Sequence, residues 1–178
     1  MSGRSFEWIG GETVFEGRII SVEKAVFRFA DGEEAEREVV HHPGAVAAVV
    51  IDDEHVWLVR QPREPVGDPD SLELPAGKLD EAGESPLETM RRELAEEIGK
   101  AADEWEHLVT FHTSVGVMDE VLHLYLARGL RDGTADADEN ERIEVVPWPL
   151  ADLGAAIAET KDAKTLVGLL MLKERLQQ

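Results

Sequence analysis

Residues 77–100 of this chain read GKLDEAGESPLETMRRELAEEIGK, and the second half of this stretch decides the fold. Ser85, Pro86 and Glu88 have the spacing of a capping box with proline at the first helical position, and Gly99 suits the position where a helix ends. The apolar residues between these caps recur at helical spacing and form one stripe: Leu87, Met90, Leu94 and Ile98. The pattern predicts an amphipathic helix whose stripe faces the core.

Three glutamates of this helix, Glu93, Glu96 and Glu97, lie beside the apolar stripe. Like charges at i, i+4 disfavour a helix by roughly a few tenths of a kcal/mol, and partial burial makes the repulsion worse. Arg92 can neutralise one carboxylate. A divalent ion that prefers oxygen ligands, such as Mg2+, can neutralise the others. The alternative is an ordinary solvated helix surface.

The segment before the helix favours the metal site over the solvated surface. Leu72, Glu73 and Leu74 read as a short strand that Pro75 and Gly77 end, so strand, loop and acidic helix are contiguous. A unit of this kind can direct backbone carbonyls and helix carboxylates at the same point.

The same segment resembles the Nudix box, G-x5-E-x7-R-E-U-x-E-E-x-G-U, in which U is apolar. The matching residues are Gly77, Glu84, Arg92, Glu93, Leu94, Glu96, Glu97 and Gly99. The chain departs from the pattern in two places, because six residues separate Gly77 from Glu84 and Lys100 replaces an apolar residue. The resemblance implies hydrolysis of a nucleoside diphosphate linked to another group, with Mg2+ as cofactor, for which Mn2+ can substitute.

Composition excludes several other classes of protein. The chain has 178 residues, 43% of them hydrophobic, which suits one core, and it has no cysteine for disulfides, thiolate metal sites or nucleophilic catalysis. A net charge of −20 argues against nucleic acid and anionic membranes as partners, because both are polyanions. No apolar run resembles a signal peptide or a membrane span, so we expect a cytoplasmic protein.

The order of predicted elements is α+β. Residues 44–51 are a continuous apolar run and predict a buried strand, whereas prolines 62, 65 and 69 predict a loop over residues 61–70. Other strands are predicted at 13–18, 19–29, 34–41, 56–60, 105–112, 121–128 and 143–148, and helices at about 151–159 and 165–176.

This order is similar to the ADP-ribose pyrophosphatase branch of the Nudix family. The resemblance extends to five further segments: residues 37–40, 59–63, 114–120, 138–141 and 162–165. It implies an α/β/α sandwich with a mixed sheet (43–178) and an N-terminal antiparallel strand extension (1–42) for dimerisation and substrate contacts. Val115 stands where the branch usually has proline, which leaves the preferred substrate open.

The resemblance also implies roles for individual residues. Glu93 and Glu97 would bind the metal with the Ala76 carbonyl, and Glu96 would do so directly or through water. Glu84 would pair with Arg92, with Gly77 and Gly99 as structural residues. The loop holding Glu139 and Glu141 would supply the general base and a further metal ligand. The alternatives are that Glu96 is the base and that this acidic loop is simply solvated.

Substrate contacts are expected from Arg37, Arg63 and Glu120. A guanidinium can form two hydrogen bonds to a phosphate, and Glu120 can bind a sugar hydroxyl. The alternative is that all three are ordinary surface charges.

Three functions are compatible with these observations. The first is a pyrophosphatase of ADP-ribose or a related nucleoside diphosphate sugar, acting as a homodimer. The second is a Nudix hydrolase of a dinucleoside polyphosphate or a nucleotide coenzyme. The third is a non-catalytic ligand-sensing Nudix module, which is disfavoured because every acid of the box is present.

Overall fold

The computed structural model describes residues 5–133 and 142–178, which form two compact units. The first unit contains the described part of residues 1–44 together with residues 112–121. The second contains residues 45–111 and the described part of residues 122–178. The division expected between residues 42 and 43 stays a prediction, and the structure adds that residues 112–121 group with the N-terminal strands.

The first unit is built on a three-stranded antiparallel sheet. Its strands are β1 (Phe6–Glu16), β2 (Ser21–Phe29) and β3 (Glu34–His41), in that spatial order. Strand β1 starts earlier than predicted because it pairs with β2 along its whole length. The pair of glycines at 10 and 11 hides this from the sequence, since glycine weakens a strand pattern, and the register of the pairing shifts between Trp8 and Gly10.

The second unit is built on a seven-stranded mixed sheet. Its strands and helices are β4 (Ala45–Ile51), β5 (His55–Arg63), β6 (Asp68–Glu73), β7 (Ala76–Lys78), α1 (Pro86–Ile98), β8 (Lys100–His112), β9 (Val121–Asp132), β10 (Glu144–Pro149), α2 (Leu153–Glu159) and α3 (Ala163–Leu176). The spatial order is β10-β5-β4-β9-β8, with β6 beside β5 and β7 beside β4. Strands β4 and β9 are parallel, whereas β4 pairs antiparallel with β5 and β7.

Strand β4 is apolar throughout because helices cover both faces of the sheet. Val46, Ala48 and Val50 pack in one core cluster with Met90 and Leu94 of α1. The intervening residues of β4 pack in a second cluster with residues of α2 and α3. This two-sided burial gives three layers and confirms the predicted α/β/α sandwich.

Helix α1 begins and ends as predicted. The Ser85 N–H donates to Glu88 Oε2 at 2.8 Å, and the Glu88 N–H donates to Ser85 Oγ at 3.4 Å, so both halves of the capping box are present. Gly99 ends the helix with φ of 65°, a left-handed conformation that glycine adopts without steric cost.

The prediction of a loop over residues 61–70 is wrong. Strand β5 continues to Arg63, a short 3-10 turn covers Glu64–Val66, and β6 begins at Asp68. Proline cannot donate to a sheet ladder and therefore favours a break, but Pro69 is tolerated in β6 because β6 is an edge strand. In residues 5–133 and 142–178, no helix is long and apolar enough to cross a membrane.

His41 joins the strands of the first unit to the segment 113–120. Its Nδ1 lies 2.6 Å from Asp119 Oδ2, and its Nε2 lies 3.0 Å from Glu23 Oε2 on β2. A neutral imidazole has one N–H, so it can donate to only one of these carboxylates, whereas the protonated ring donates to both. The hydrogen bonds to Asp119 and then Glu23 raise the pKa of His41 above its ordinary value of 6.5.

We expect this contact to weaken as pH rises. Because the folded pKa is raised, the stabilisation is fully present below about pH 6.5 and is lost as pH rises through the folded pKa. In the wild type, the backbone amides of residues 113–120 should be less protected from hydrogen exchange at pH 9 than at pH 6. The exchange rates are first corrected for their intrinsic pH dependence. His41→Gln should be poorly protected at both values, and exposed His112→Gln should behave like wild type. Equal pH profiles for wild type and His41→Gln would contradict this.

Candidate active site

Arg92 stands at the centre of the acidic side chains of α1. Its Nη1 lies 3.0 Å from Glu93 Oε1 and 2.9 Å from Glu96 Oε2. Its Nε lies 3.3 Å from Glu84 Oε1, in the loop before the helix. Burial alone would lower the pKa of Arg92, but the hydrogen bond to Glu84 and the charges of Glu93 and Glu96 raise it above its ordinary range. Arg92 therefore stays protonated and holds loop and helix together.

Strand β7, which lies between β6 and α1 in the chain, contacts Glu93 and Glu97. The Ala76 N–H donates to Glu97 Oε2 at 2.9 Å. Glu93 packs directly on Gly77, so that a Cβ built there would lie 2.2 Å from the Glu93 carboxyl carbon. The glycine is required by this close approach, and the carboxylates of Glu93 and Glu97 are both held against the backbone of residues 76 and 77.

The chemistry of these donors fits an oxygen-preferring divalent ion. Glu93 and Glu97 of α1 lie against the backbone of residues 76 and 77, and oxygen donors of this kind are the ligands of Mg2+. Within the described residues, however, no three acidic or histidine side chains are gathered closely enough to hold a metal. Glu93 and Glu96 face Arg92, while Glu97 faces the Ala76 amide. The metal role of these residues stays a prediction.

Arg63, at the end of β5, also lies in the second unit. Its Nε and Nη2 donate to Glu73 Oε1 and Oε2 at 2.6 and 2.7 Å, and the Glu73 side chain is only 2% exposed. Lys164 of α3 donates to the same carboxylate. Burial alone would raise the pKa of Glu73, but the hydrogen bonds from Arg63 and Lys164 lower it to about 2. Glu73 is therefore an ionised, buried carboxylate between two cations.

The other two expected substrate contacts lie in the first unit. Arg37 lines a pocket of about 450 Å³ whose walls include Phe6, Phe27 and Phe29. Glu120 accepts a hydrogen bond from Thr113, and its Oε1 lies 3.2 Å from His42 Nδ1. Exposed Val115 lines the same pocket as Arg37. The roles of Arg37 and Glu120 in substrate binding stay predictions.

Glu139 and Glu141, the predicted base and loop ligand, lie outside the described residues. Their roles are therefore untested.

Sequence reasoning missed the part that Glu73 plays. In the sequence, Glu73 is one residue of a predicted short strand, and Lys164 is one residue of the segment 162–165 that resembles the Nudix branch. An acid between two leucines, Leu72 and Leu74, was the available signal, because a charge in an apolar strand needs a partner once it is buried.

The comparisons with known proteins agree with the fold and with the acidic helix. A model of the NUDIX domain matches residues 41–168. The chain belongs to the NUDIX family, and it is a pyrophosphohydrolase of the ADP-ribose pyrophosphatase-like kind.

Individual relatives make the similarity more specific. ADP-ribose pyrophosphatase of Bacillus subtilis is 38% identical, with the match covering 95% of this chain and 94% of the relative. Methanol dehydrogenase activator of Bacillus methanolicus is also 38% identical, over 98% of both chains. A crystal structure of ADP compounds hydrolase is similar with a TM-score of 0.86 and 26% identity, covering 99% of this chain and 97% of that one.

The contact between Gly77 and Glu93 yields a test. Gly77→Ala would place a methyl group inside the Glu93 side chain, so Glu93 must move. We expect turnover to fall at least about tenfold, because a displacement of about 1 Å is costly at a catalytic site. The control is Gly154→Ala in α2, where a Cβ meets nothing within 4 Å. Circular dichroism would verify folding, and wild-type turnover in folded Gly77→Ala would refute the importance of this contact.

Proposed function

We propose that this protein hydrolyses the pyrophosphate bond of ADP-ribose or a related nucleoside diphosphate sugar with Mg2+, giving a nucleoside monophosphate and a sugar phosphate. The main support is the set of glutamates on α1, held by Arg92 on one side and by residues 76 and 77 on the other. The names of the relatives that match most of the chain favour the same substrate class.

The ion would be held by Glu93, Glu97 and the Ala76 carbonyl, with Glu96 binding directly or through water and Glu141 from the loop. Bound Mg2+ neutralises negative charge that develops on phosphate oxygens. The contribution of Arg92 is electrostatic and geometric, because it offsets repulsion among the carboxylates and fixes Glu84 against the helix. Gly77 permits the close approach of Glu93.

The pocket lined by Arg37 in the first unit has features suited to a nucleotide. Its aromatic walls offer apolar area for a base, and Arg37 offers hydrogen-bond donors. Glu120, whose side chain is 17% exposed, can accept from a hydroxyl group. We propose Arg37 and Glu120 as substrate contacts on this basis, and Arg63, which lines a separate pocket with Lys161, as a third.

A second candidate substrate is a nucleotide coenzyme or a dinucleoside polyphosphate. Val115 is 84% exposed beside the pocket that Arg37 lines, and its backbone is not fixed as that of proline would be. Methanol dehydrogenase activator matches this chain over as much length as any relative given above, and its name denotes no ADP-ribose activity.

We propose a homodimer in the cytoplasm. The first unit exposes large apolar side chains on β1 and next to it: Phe6, Trp8, Val14, Phe15 and Ile19. Apolar side chains clustered on one strand at a surface favour an interface between subunits. Sedimentation equilibrium giving a monomer mass would contradict this proposal.

The function is tested by product analysis on a panel of diphosphates. With Mg2+ we expect ADP-ribose to give AMP and ribose 5-phosphate, and EDTA to abolish the reaction. The panel should also contain GDP-mannose, NAD and diadenosine polyphosphates at equal concentration. Glu93→Gln and Glu97→Gln should each lower turnover at least about a hundredfold, because each removes a carboxylate from the ion. Preference for NAD would favour the second candidate, and no cleavage of any compound would refute both.

The general base can be identified by comparing two variants. If Glu139 deprotonates the attacking water, Glu139→Gln should lower kcat by about 10² to 10⁴ without changing the Mg2+ concentration at half activity. Glu96→Gln should mainly raise that Mg2+ concentration. Asp136→Asn is the control in the same acidic segment. The opposite pattern, with Glu96→Gln inactive and Glu139→Gln active, would assign the base to Glu96.

A further inference from the structure

Glu73 lies at the start of the segment that leads to the acidic site. It ends β6, and three residues later the Ala76 N–H contacts Glu97. Its carboxylate is almost fully buried and accepts from Arg63 through both oxygens. This pairing uses the Nε and Nη2 edge of the guanidinium and fixes its plane.

The other side of Glu73 is fixed by the start of α3. Lys164 donates to Glu73 Oε2 and, at 2.9 Å, to Asp162 Oδ2. Asp162 accepts from the Thr165 N–H at 3.0 Å, and Thr165 Oγ1 accepts from the Leu74 N–H at 2.8 Å. Leu74 follows Glu73 in the chain, so these contacts form a closed ring. Neither Glu73 nor Leu74 can move without breaking a bond in it.

Arg63 is the most exposed of the three charged side chains in this cluster, which are Arg63, Lys164 and Glu73. The side chain of Arg63 is 41% exposed, against 14% for Lys164 and 2% for Glu73. The paired hydrogen bonds to Glu73 use Nε and Nη2 of Arg63 and do not involve its Nη1. Arg63 lines a pocket of about 590 Å³ together with Gly67, Ser71 and Lys161.

A short segment links this pocket to the acidic site, because Glu73 lines the pocket and the Ala76 N–H, three residues later, donates to Glu97. The hydrogen bond to Glu73 raises the pKa of Arg63, and the charges of Glu73, Asp162 and Glu97 contribute in the same direction. Glu97 is the box glutamate that contacts the Ala76 amide. Because Arg63 is fixed on Glu73, three residues before the backbone contact of Glu97, its guanidinium can contact a phosphate that the acidic site attracts.

We propose that Glu73 is a positioning residue that orients the Arg63 guanidinium so that its remaining edge binds the diphosphate of the substrate. The inference rests on the proposed function and assigns a role to a residue that does not itself touch substrate. The alternative is that Glu73 only stabilises the fold by pairing two cations. The two roles differ in one measurable respect, because a positioning residue acts on substrate binding through Arg63 alone.

A double-mutant cycle on the KM for the best substrate of the panel separates the two roles. We expect Arg63→Gln to raise KM about 30-fold and Glu73→Gln about tenfold, each with kcat changed less than about threefold. Since Glu73 acts through Arg63, the double variant should stay near 30-fold rather than approach the product of about 300-fold. Independent, multiplicative effects would overturn the proposal, as would an unchanged KM in folded Glu73→Gln.

Arg63→Lys keeps the proposal testable if Glu73→Gln fails to fold. Lysine keeps the charge but cannot form the paired hydrogen bonds that fix a guanidinium plane, so KM should rise nearly as much as in Arg63→Gln. A wild-type KM in Arg63→Lys would overturn the proposal.

The controls come from an ion pair of another arginine on β5. Arg60 of β5 pairs with Asp70 and Glu159, so Arg60→Gln and Glu159→Gln remove a comparable ion pair outside the pocket. Both should change KM less than about twofold.

If the wild type cleaves no diphosphate, the proposed function is wrong and the inference is overturned with it. If the wild type is active and the cycle is multiplicative, only the inference is wrong.

Discussion

The structure around the site depends on one electrostatic constraint, the placement of several carboxylates around a single guanidinium. Like charges gathered near a protein surface repel one another, and Arg92 offsets this repulsion by contacting Glu84, Glu93 and Glu96. One cation still leaves surplus negative charge, and Glu97 adds to it. The surrounding fold offsets part of this charge with backbone donors, as the Ala76 amide does for Glu97. The same surplus is what makes the region suitable for a divalent cation.

Local signals in the sequence were sufficient for the elements that frame this cluster. The ends of α1 followed from Ser85, Glu88 and Gly99, because capping depends on residues only a few positions apart. The burial of β4 followed from its uninterrupted apolar run. The resemblance of the element order to the Nudix family implied the sandwich, and the burial of β4 on both faces agrees with it.

Features that depend on residues far apart in the chain could not be predicted from local sequence signals. The edge strand β6 was hidden by prolines whose effect depends on where the strand lies in the sheet. Arg60 and Arg63 lie on one strand and look alike in sequence, yet the acids that pair with Arg60 are exposed and the acid that pairs with Arg63 is buried. Burial of the partner gives Arg63 its fixed geometry, and burial is a property of the whole fold.

The ring that joins Glu73 and Leu74 to α3 also has a consequence for synthesis of the chain. The ring contains two long-range pairs. Leu74 and Thr165 are 91 positions apart in the chain, and so are Glu73 and Lys164. While the ribosome is still translating the region between them, the strand that leads to Ala76 lacks its final partners, although the caps of α1 are already available. The acidic helix can therefore form early in translation, whereas the backbone beside it becomes fixed only after the start of the last helix has emerged. A nascent chain would pass through a period in which the acidic helix has been synthesised but the segment beside it is not yet fixed.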